Sequence, residues 1–270
     1  MKIKEYPISF LQSLKLRFSS VTNLSKNKVP LIVSLTSIPS RLHILPLTIR
    51  SLLLQSVLPE KIILWLHQDL KEKLPVALSS LQSDLFEIRY VELTCSHRKL
   101  IHSLKAFPSS VIVTCDDDLM YDKTWLERLF TDYQLHPEDI VAHECRRISQ
   151  NTDGQWLPYK EWPTQQEAGV KGMDLLPIGY GGVLYPPNSL LPQVMDVQSF
   201  MELAPKADDL WFKAMSFMNG TLVRRSSSPW PKPIPIIGSQ KISLLKTNVR
   251  EDGNREQWQK ITNFFNIGAL

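Results

Sequence analysis

The sequence predicts an α/β protein with a mainly parallel central sheet flanked by helices, and three observations predict it. Short β-rich apolar runs alternate with helical stretches through the first half, at the period of βαβ units. The chain is 270 residues long, enough for one large domain with a substantial core. Its composition, 43% hydrophobic and 21% charged, argues against disorder.

The elements follow in order. Leu31 to Thr36 reads as a buried strand closed by Ser37-Ile38-Pro39, and Leu45 to Gln55 has helical spacing. Lys61 to Leu66 is a second strand, and residues 71–82 a second helix. Phe86 to Val91 alternates as a third strand, with a short helix over 98–106. Val111 to Cys115 is a fourth strand that runs straight into Asp116-Asp117-Asp118. In the next helix Trp125, Leu126, Leu129, Phe130 and Tyr133 share one face.

The second half differs. Residues 151–187 are rich in Trp, Pro and Gly, with aromatics at Trp156, Tyr159, Trp162, Tyr180 and Tyr185. A helix from about Asp208 to Met218, a proline-rich stretch through Pro229, Pro231, Pro233 and Pro235, and a terminal helix from about Glu256 complete the chain.

Charge is uneven. Residues 1–28 carry six basic side chains (Lys2, Lys4, Lys15, Arg17, Lys26, Lys28) against Glu5, a net +5. The whole chain is +4, so the rest is −1, unlike a nucleic-acid binder. Ile8, Leu11, Leu14 and Phe18 fit one helical face flanked by Lys15 and Arg17, the pattern of an interfacial helix on anionic lipid. A surface helix packed on the domain fits the same pattern. The segment lacks the apolar core and cleavage site of a signal peptide, and no run is long enough to span a bilayer. Cys95, Cys115 and Cys145 show neither disulfide pairing nor CxxC, so reduced thiols in a cytoplasmic protein are expected.

Chemistry concentrates at two acidic clusters. Asp116-Asp117-Asp118 ends a strand, where open parallel sheets bind ligands. Three adjacent carboxylates repel, and a hard cation such as Mn²⁺ or Mg²⁺ removes the conflict while bridging to phosphate. A solvated turn capping the next helix is the alternative. Asp208-Asp209 opens a helix; an N-cap role explains one aspartate, and a general base acting on a hydroxyl explains the other.

Gly179, Gly181 and Gly182 imply close backbone approach, but without the strand-before, helix-after setting of a dinucleotide fingerprint. There is no Walker A sequence, and His143-Glu144 lacks the second histidine of a zinc-protease helix. Tyr180, Trp156 and Trp162 offer apolar faces for a sugar ring, or serve as core. Arg41, Arg98 and Lys99 are candidate phosphate partners, or solvated charge.

In this order and spacing, five segments resemble glycosyltransferases of the GT-A fold, close to family-2-like inverting bacterial enzymes. They are Val33 to Arg41, Arg98 to Ile101, Asp116 to Tyr121, Gly181 to Pro187, and Ala207 to Phe212. The resemblance covers residues 30–265. It implies sugar transfer from a nucleoside-diphosphate sugar to a hydroxyl of a glycan or glycolipid, in lipopolysaccharide or capsule synthesis. Asp116 and Asp118 match the outer pair of a DxD motif that holds Mn²⁺ or Mg²⁺. Thr36, Ser37, Arg41, Arg98, Lys99, Asp116 and Asp117 fall at donor-binding positions. Asp208 and Asp209 match a catalytic pair with Asp209 the base. Trp162, Tyr180, Gly181 and Gly182 are assigned to the acceptor or sugar. No residue is assigned to the nucleotide base, nor a late histidine to the metal.

The expected organisation is a basic segment over 1–28 and a single domain over 29–270. That domain divides into a nucleotide-sugar half (29–122) and an acceptor half (123–270). Residues 1–28 are candidates for peripheral contact with the cytoplasmic face of the inner membrane. A nucleotidyltransferase would want a glycine-rich loop after the first strand, and Thr36 to Arg41 is poor in glycine. A non-catalytic carbohydrate-binding protein would not need both acidic clusters.

Overall fold

Alternate residues of β1 (Lys28–Thr36) face two different cores, and that alternation places the strand in the middle of a covered sheet. The computed structural model describes residues 5–21, 27–230, 233–239 and 245–268. Leu31, Val33 and Leu35 point to one side, and Ile32 points to the other. Each such buried aliphatic side chain contributes about 1.5–3 kcal/mol.

The other strands are β2 (Leu58–His67), β3 (Phe86–Val91), β4 (Val111–Thr114), β5 (Leu119–Met120) and β6 (Ile140–Ala142). They continue with β7 (Cys145–Arg147), β8 (Lys171–Gly172), β9 (Leu175–Pro177), β10 (Val183–Tyr185), β11 (Val223–Arg225) and β12 (Ile234–Pro235). The helices are α1 (Glu5–Phe18), α2 (Leu45–Leu53), α3 (Val76–Ser79) and α4 (Arg98–Ala106). Then come α5 (Trp125–Leu135), α6 (Val197–Leu203), α7 (Asp208–Met218) and α8 (Gly253–Phe264).

Eight strands form the central sheet in the order β3-β2-β1-β4-β10-β6-β11-β8. The run β3-β2-β1-β4 is parallel throughout. On one face α2 and α5 bury Leu45, Ile49, Leu126 and Leu129; on the other lie α4, α6, α7 and α8 with Leu100, Phe200, Phe212 and Trp258. The mixed α/β sheet flanked by helices is the expected class.

Two features depart from the sequence reading. The helix expected over 71–82 is a 3-10 segment, Gln68–Lys73, followed by the single turn α3. Pro75 is the reason: Leu74 before it is extended, with ψ 131°, as a residue preceding proline prefers. Second, β10 enters the sheet antiparallel to both β4 and β6, and β8 closes the far edge antiparallel to β11.

Two short ribbons stand outside the sheet, β12 with β5 and β7 with β9. The first carries Asp118, whose carbonyl accepts the Ile236 amide at 2.9 Å. Helix α1 packs on α2 and on β12; Ser9 donates to the Pro235 carbonyl at 2.8 Å. Lys2, Lys4 and Lys26 of the basic segment lie outside the described residues.

Candidate active site

Strand order reverses at β1: the chain leaves it toward β2 and β3 on one side, while β4 lies on the other. Ligands of open α/β sheets bind in the crevice at such a switch point, beyond the carboxyl ends of the strands. Both loops that border the crevice carry the expected chemistry, Thr36 to Arg41 after β1 and the three aspartates after β4.

A single arginine ties the two loops together. Arg41 reaches Asp117 at 2.6 Å and Asp118 at 3.2 Å, and the Ser37 hydroxyl donates to the other oxygen of Asp117 at 2.5 Å. Thr48 of α2 donates to the Asp117 carbonyl at 2.9 Å. Burial pulls the Arg41 guanidinium down, but Asp117 and Asp118 outweigh it, so the cation is reinforced.

Arg98 is buried, and each nitrogen of its guanidinium makes one hydrogen bond. It donates to the Thr36 hydroxyl, to the Ser37 carbonyl and, at 2.9 Å, to the Leu93 carbonyl. Thr36 in turn donates to the Trp65 carbonyl at 2.8 Å. These contacts make Arg98 the residue that shapes the β1 loop.

Lys99, one residue on, joins the two acidic clusters. Its ammonium lies 2.9 Å from Asp116 and 3.1 Å from Asp208. The lysine is buried, and the two carboxylates overcome that burial to raise it well above its ordinary value. Burial works against the Asp208 carboxylate too, yet Lys99 brings it below the usual range.

Asp208 and Asp209 occupy the first turn of α7, but neither caps it; the N-cap is Ala207, which has no side-chain bond. Asp209 instead accepts the Gly179 amide at 2.9 Å. Burial and the adjacent Asp208 push the Asp209 carboxyl upward. A Cβ at Gly179 would stand 2.6 Å from Asp209 Oδ1 and 3.1 Å from Lys99 Nζ, so only glycine allows this approach.

Gly182 has φ +101°, and a Cβ there would meet the Trp125 indole at 2.5 Å. The same indole donates to the Gly181 carbonyl at 2.7 Å. A Cβ at Gly181 would meet Glu144 at 3.4 Å. These glycines let the segment before β10 lie against α5 and the turn between β6 and β7. Tyr180 is half-buried, and burial with the Glu144 carboxylate nearby pushes its hydroxyl upward.

Trp162 does not offer a face to a sugar. It is 1% exposed, with its indole N–H on the Leu157 carbonyl and its ring against Tyr159 and Trp258. Trp156 likewise packs on Trp258 and donates to Thr262. The indoles fill the core because their N–H groups find partners there.

Two residues of the site were given no role from the sequence. The Tyr121 hydroxyl accepts the Asp116 amide at 2.9 Å and lies 3.3 Å from the Tyr180 carbonyl, linking the acid loop to the glycine segment. Gly179 was the other. Its signal was the glycine spacing, which marks close approach without saying to what.

Two cations, Arg41 and Lys99, pair with four carboxylates, and the Asp209 charge also acts on Lys99. Asp118 is pushed up to about 7 by burial, with Asp116 adding to it. Among the described residues no three His, Cys, Asp or Glu side chains converge as a cage. The donor set is nevertheless all hard oxygen, and the Asp116 side chain is 34% exposed. It fits a divalent ion held by one or two carboxylates and completed by phosphate oxygens.

Comparison with known proteins gives a match to the family model described as glycosyl transferase family 2, over residues 40–184. No curated protein matches. Among solved structures, S. aureus TarS 1–349 in complex with UDP is similar at 13% identity and TM-score 0.53, over 90% of this chain and 67% of that one. The same fragment without UDP matches at 14% identity and TM-score 0.48, over 77% of this chain and 59% of that one. The chain thus spans only about three fifths of that first neighbour's length. A CMP:2-keto-3-deoxy-manno-octonic acid synthetase complexed with CTP gives 12% identity and TM-score 0.38, over 74% of this chain and 89% of that one.

Proposed function

The chain belongs to glycosyl transferase family 2, and on that premise we propose that it moves a sugar from a nucleoside-diphosphate sugar to an acceptor hydroxyl. The observation that carries this reading is Lys99, which holds Asp116 and Asp208 within 3.1 Å and so makes one site of two acidic clusters.

The donor lies across the loops after β1 and β4, in the half formed by residues 29–122, with Ser37, Arg41 and Asp117 around it. Thr36 and Arg98 set the shape of its loop. The acceptor comes from the side of residues 123–270, past Tyr180, Gly181 and Gly182. Asp209 takes the acceptor's proton as the hydroxyl oxygen attacks the anomeric carbon. The bond to the diphosphate oxygen breaks with its electron pair, and the configuration inverts. Burial, with Asp208 kept ionised by Lys99 beside it, holds the Asp209 carboxyl high enough to accept a proton near neutrality. Asp116 and Asp118 would hold Mn²⁺ or Mg²⁺, which when bound stabilises the charge growing on the leaving diphosphate.

The acceptor we infer is a glycan or glycolipid of a bacterial surface polysaccharide, lipopolysaccharide or capsule. Residues 1–28 make a peripheral contact with the cytoplasmic face of the inner membrane; no described helix is long and apolar enough to cross one. UDP-sugars are the first donors to test, because the similar TarS fragment is in complex with UDP. Nucleoside diphosphate released only with acceptor and with Mn²⁺ or Mg²⁺ supports the reading. Pyrophosphate released from a nucleoside triphosphate and a sugar phosphate would replace it with nucleotidyl transfer.

A further inference from the structure

Helix α1 is amphipathic in the wrong sense for a helix packed on a domain. At about 3.6 residues per turn, Ser9, Ser13 and Leu16 share the inward face. Ser9 bonds the Pro235 carbonyl of β12, Ser13 lies 3.6 Å from the Met120 sulfur of β5, and Leu16 packs with Ile44 and Leu47. Arg50 of α2 holds the helix end through the Leu16 carbonyl at 2.6 Å. The inward side is therefore mostly small and polar.

The outward side is apolar. Phe10, Leu11 and Phe18 are 55%, 65% and 85% exposed, with Leu14 half-buried among them. Lys15 and Arg17 flank this strip on its two sides, both exposed. A solvated helix on a globular surface shows the reverse arrangement, with the polar face outward. An apolar strip edged by cations matches a surface that is apolar inside and anionic at its rim, which is a lipid bilayer with anionic headgroups.

We propose that the Phe10-Leu11-Phe18 face of α1 docks on an anionic bilayer, with Lys15 and Arg17 at the headgroups. This deepens the peripheral contact inferred above and rests on it. The charge of residues 1–28, +5 against −1 for the rest of the chain, points the same way. It also opposes a second copy of this chain as the occupant, since two such faces would bring like charges together. The inward contacts run to β5 and β12, the ribbon that begins at Asp118, so the docking helix sits directly behind the acid loop. A membrane-held acceptor would then be met by the layer of the molecule that carries the site.

The test is co-sedimentation of the full chain with phosphatidylcholine vesicles, with and without phosphatidylglycerol, in the absence of donor and acceptor. Binding is expected only with phosphatidylglycerol, and salt should release it. The double variant Leu11→Ser, Phe18→Ser and the pair Lys15→Glu, Arg17→Glu should each weaken binding by roughly tenfold. Their melting temperatures should stay at the wild-type value, because these side chains point away from the core. Failure of the wild type to bind anionic vesicles, or equal binding by the variants, overturns the inference. A lipid-free dimer that the serine variant disperses would assign the face to a second copy instead. Nucleoside diphosphate release with a soluble acceptor is read separately, so loss of docking and loss of the proposed activity are told apart.

Discussion

The amide of Gly179 donates to Asp209 at 2.9 Å, and its Cα faces the same carboxylate so closely that a Cβ would stand 2.6 Å from Oδ1. The hydrogen bond and the missing side chain act together, one fixing the carboxylate and the other leaving room for it. Gly179→Ala should therefore displace Asp209 while leaving the fold in place. With Asp209 as the base, kcat should fall by about 10²-fold, the scale of an ångström-sized misplacement. Gly182→Ala should differ, since its Cβ meets the Trp125 indole at a φ of +101°. That variant should lose melting temperature, and the two effects are separated by measuring both quantities for both proteins.

Asp209→Asn isolates the proton transfer. Amide and carboxylate are similar in size and either accepts the Gly179 N–H, so donor affinity should hold while turnover drops by about 10²–10⁴-fold. Because burial and Asp208 raise the Asp209 carboxyl, the wild-type enzyme should lose activity as pH falls. The acid limb should lie above the ordinary carboxylate range near 4. Nucleoside diphosphate release across pH, with calorimetric donor binding for the variant, checks both statements. A variant that binds donor poorly but turns over normally would move the base elsewhere.

Much of the first half was legible because its signals are local. Strands β1 to β4 are short apolar runs between breakers, and α4 begins and ends where its sequence spacing puts it, as α7 does in the second half. The short helix after β2 was misread where Pro75 overrides helical spacing. The second half is held by distant contacts that no local pattern announces. Val183 of β10 pairs with Thr114, and Arg146 reaches the Tyr159 and Trp162 carbonyls. Burial of Trp162 is likewise decided by α8, far along the chain. At the site, residue types pointed to the acids and bases, but not to which base serves which acid. Arg98 turns inward to the β1 loop while Lys99 bridges the clusters, although the two are adjacent in sequence.

Lys99→Met removes one buried cation from between two carboxylates. Asp116 and Asp208 would then face each other without compensation, and Asp208 is buried. Breaking a buried pair by removing one partner costs about 3–5 kcal/mol. A loss of that size should appear as a lower urea midpoint at neutral pH. The double variant Lys99→Met, Asp208→Asn should recover part of it, since one uncompensated charge goes with the cation. Equal midpoints for wild type and the single variant would show that the bridge carries no stability.

Two buried histidines predict how the fold responds to acid. The His143 Nδ1 accepts the Trp230 amide at 2.9 Å, so its Nε2–H donates to the Trp125 carbonyl at 3.0 Å. Protonation would put a hydrogen on Nδ1 and break the first of these. His97 stacks on Phe200 at 4.3 Å and meets Phe212 edge-on. Burial pushes both imidazoles down to about 4, from an ordinary 6.5. The folded state therefore binds fewer protons than the unfolded one between those values. Stability from this source is complete above about pH 6.5, falls as pH drops, and levels off near pH 4. Each histidine contributes about 1.4 kcal/mol per pH unit across that window. Asp118 and Asp209, whose carboxyls are raised, take up protons in the folded state over the same range and oppose this slope. The histidine part is therefore read from urea midpoints between neutral pH and about 4.5, as the difference between wild type and a His143 variant. His143→Gln should reduce the slope while lowering stability at neutral pH, where the Trp230 and Trp125 contacts are disturbed. A slope unchanged in the variant would mean that His143 is not excluded from protonation in the folded protein.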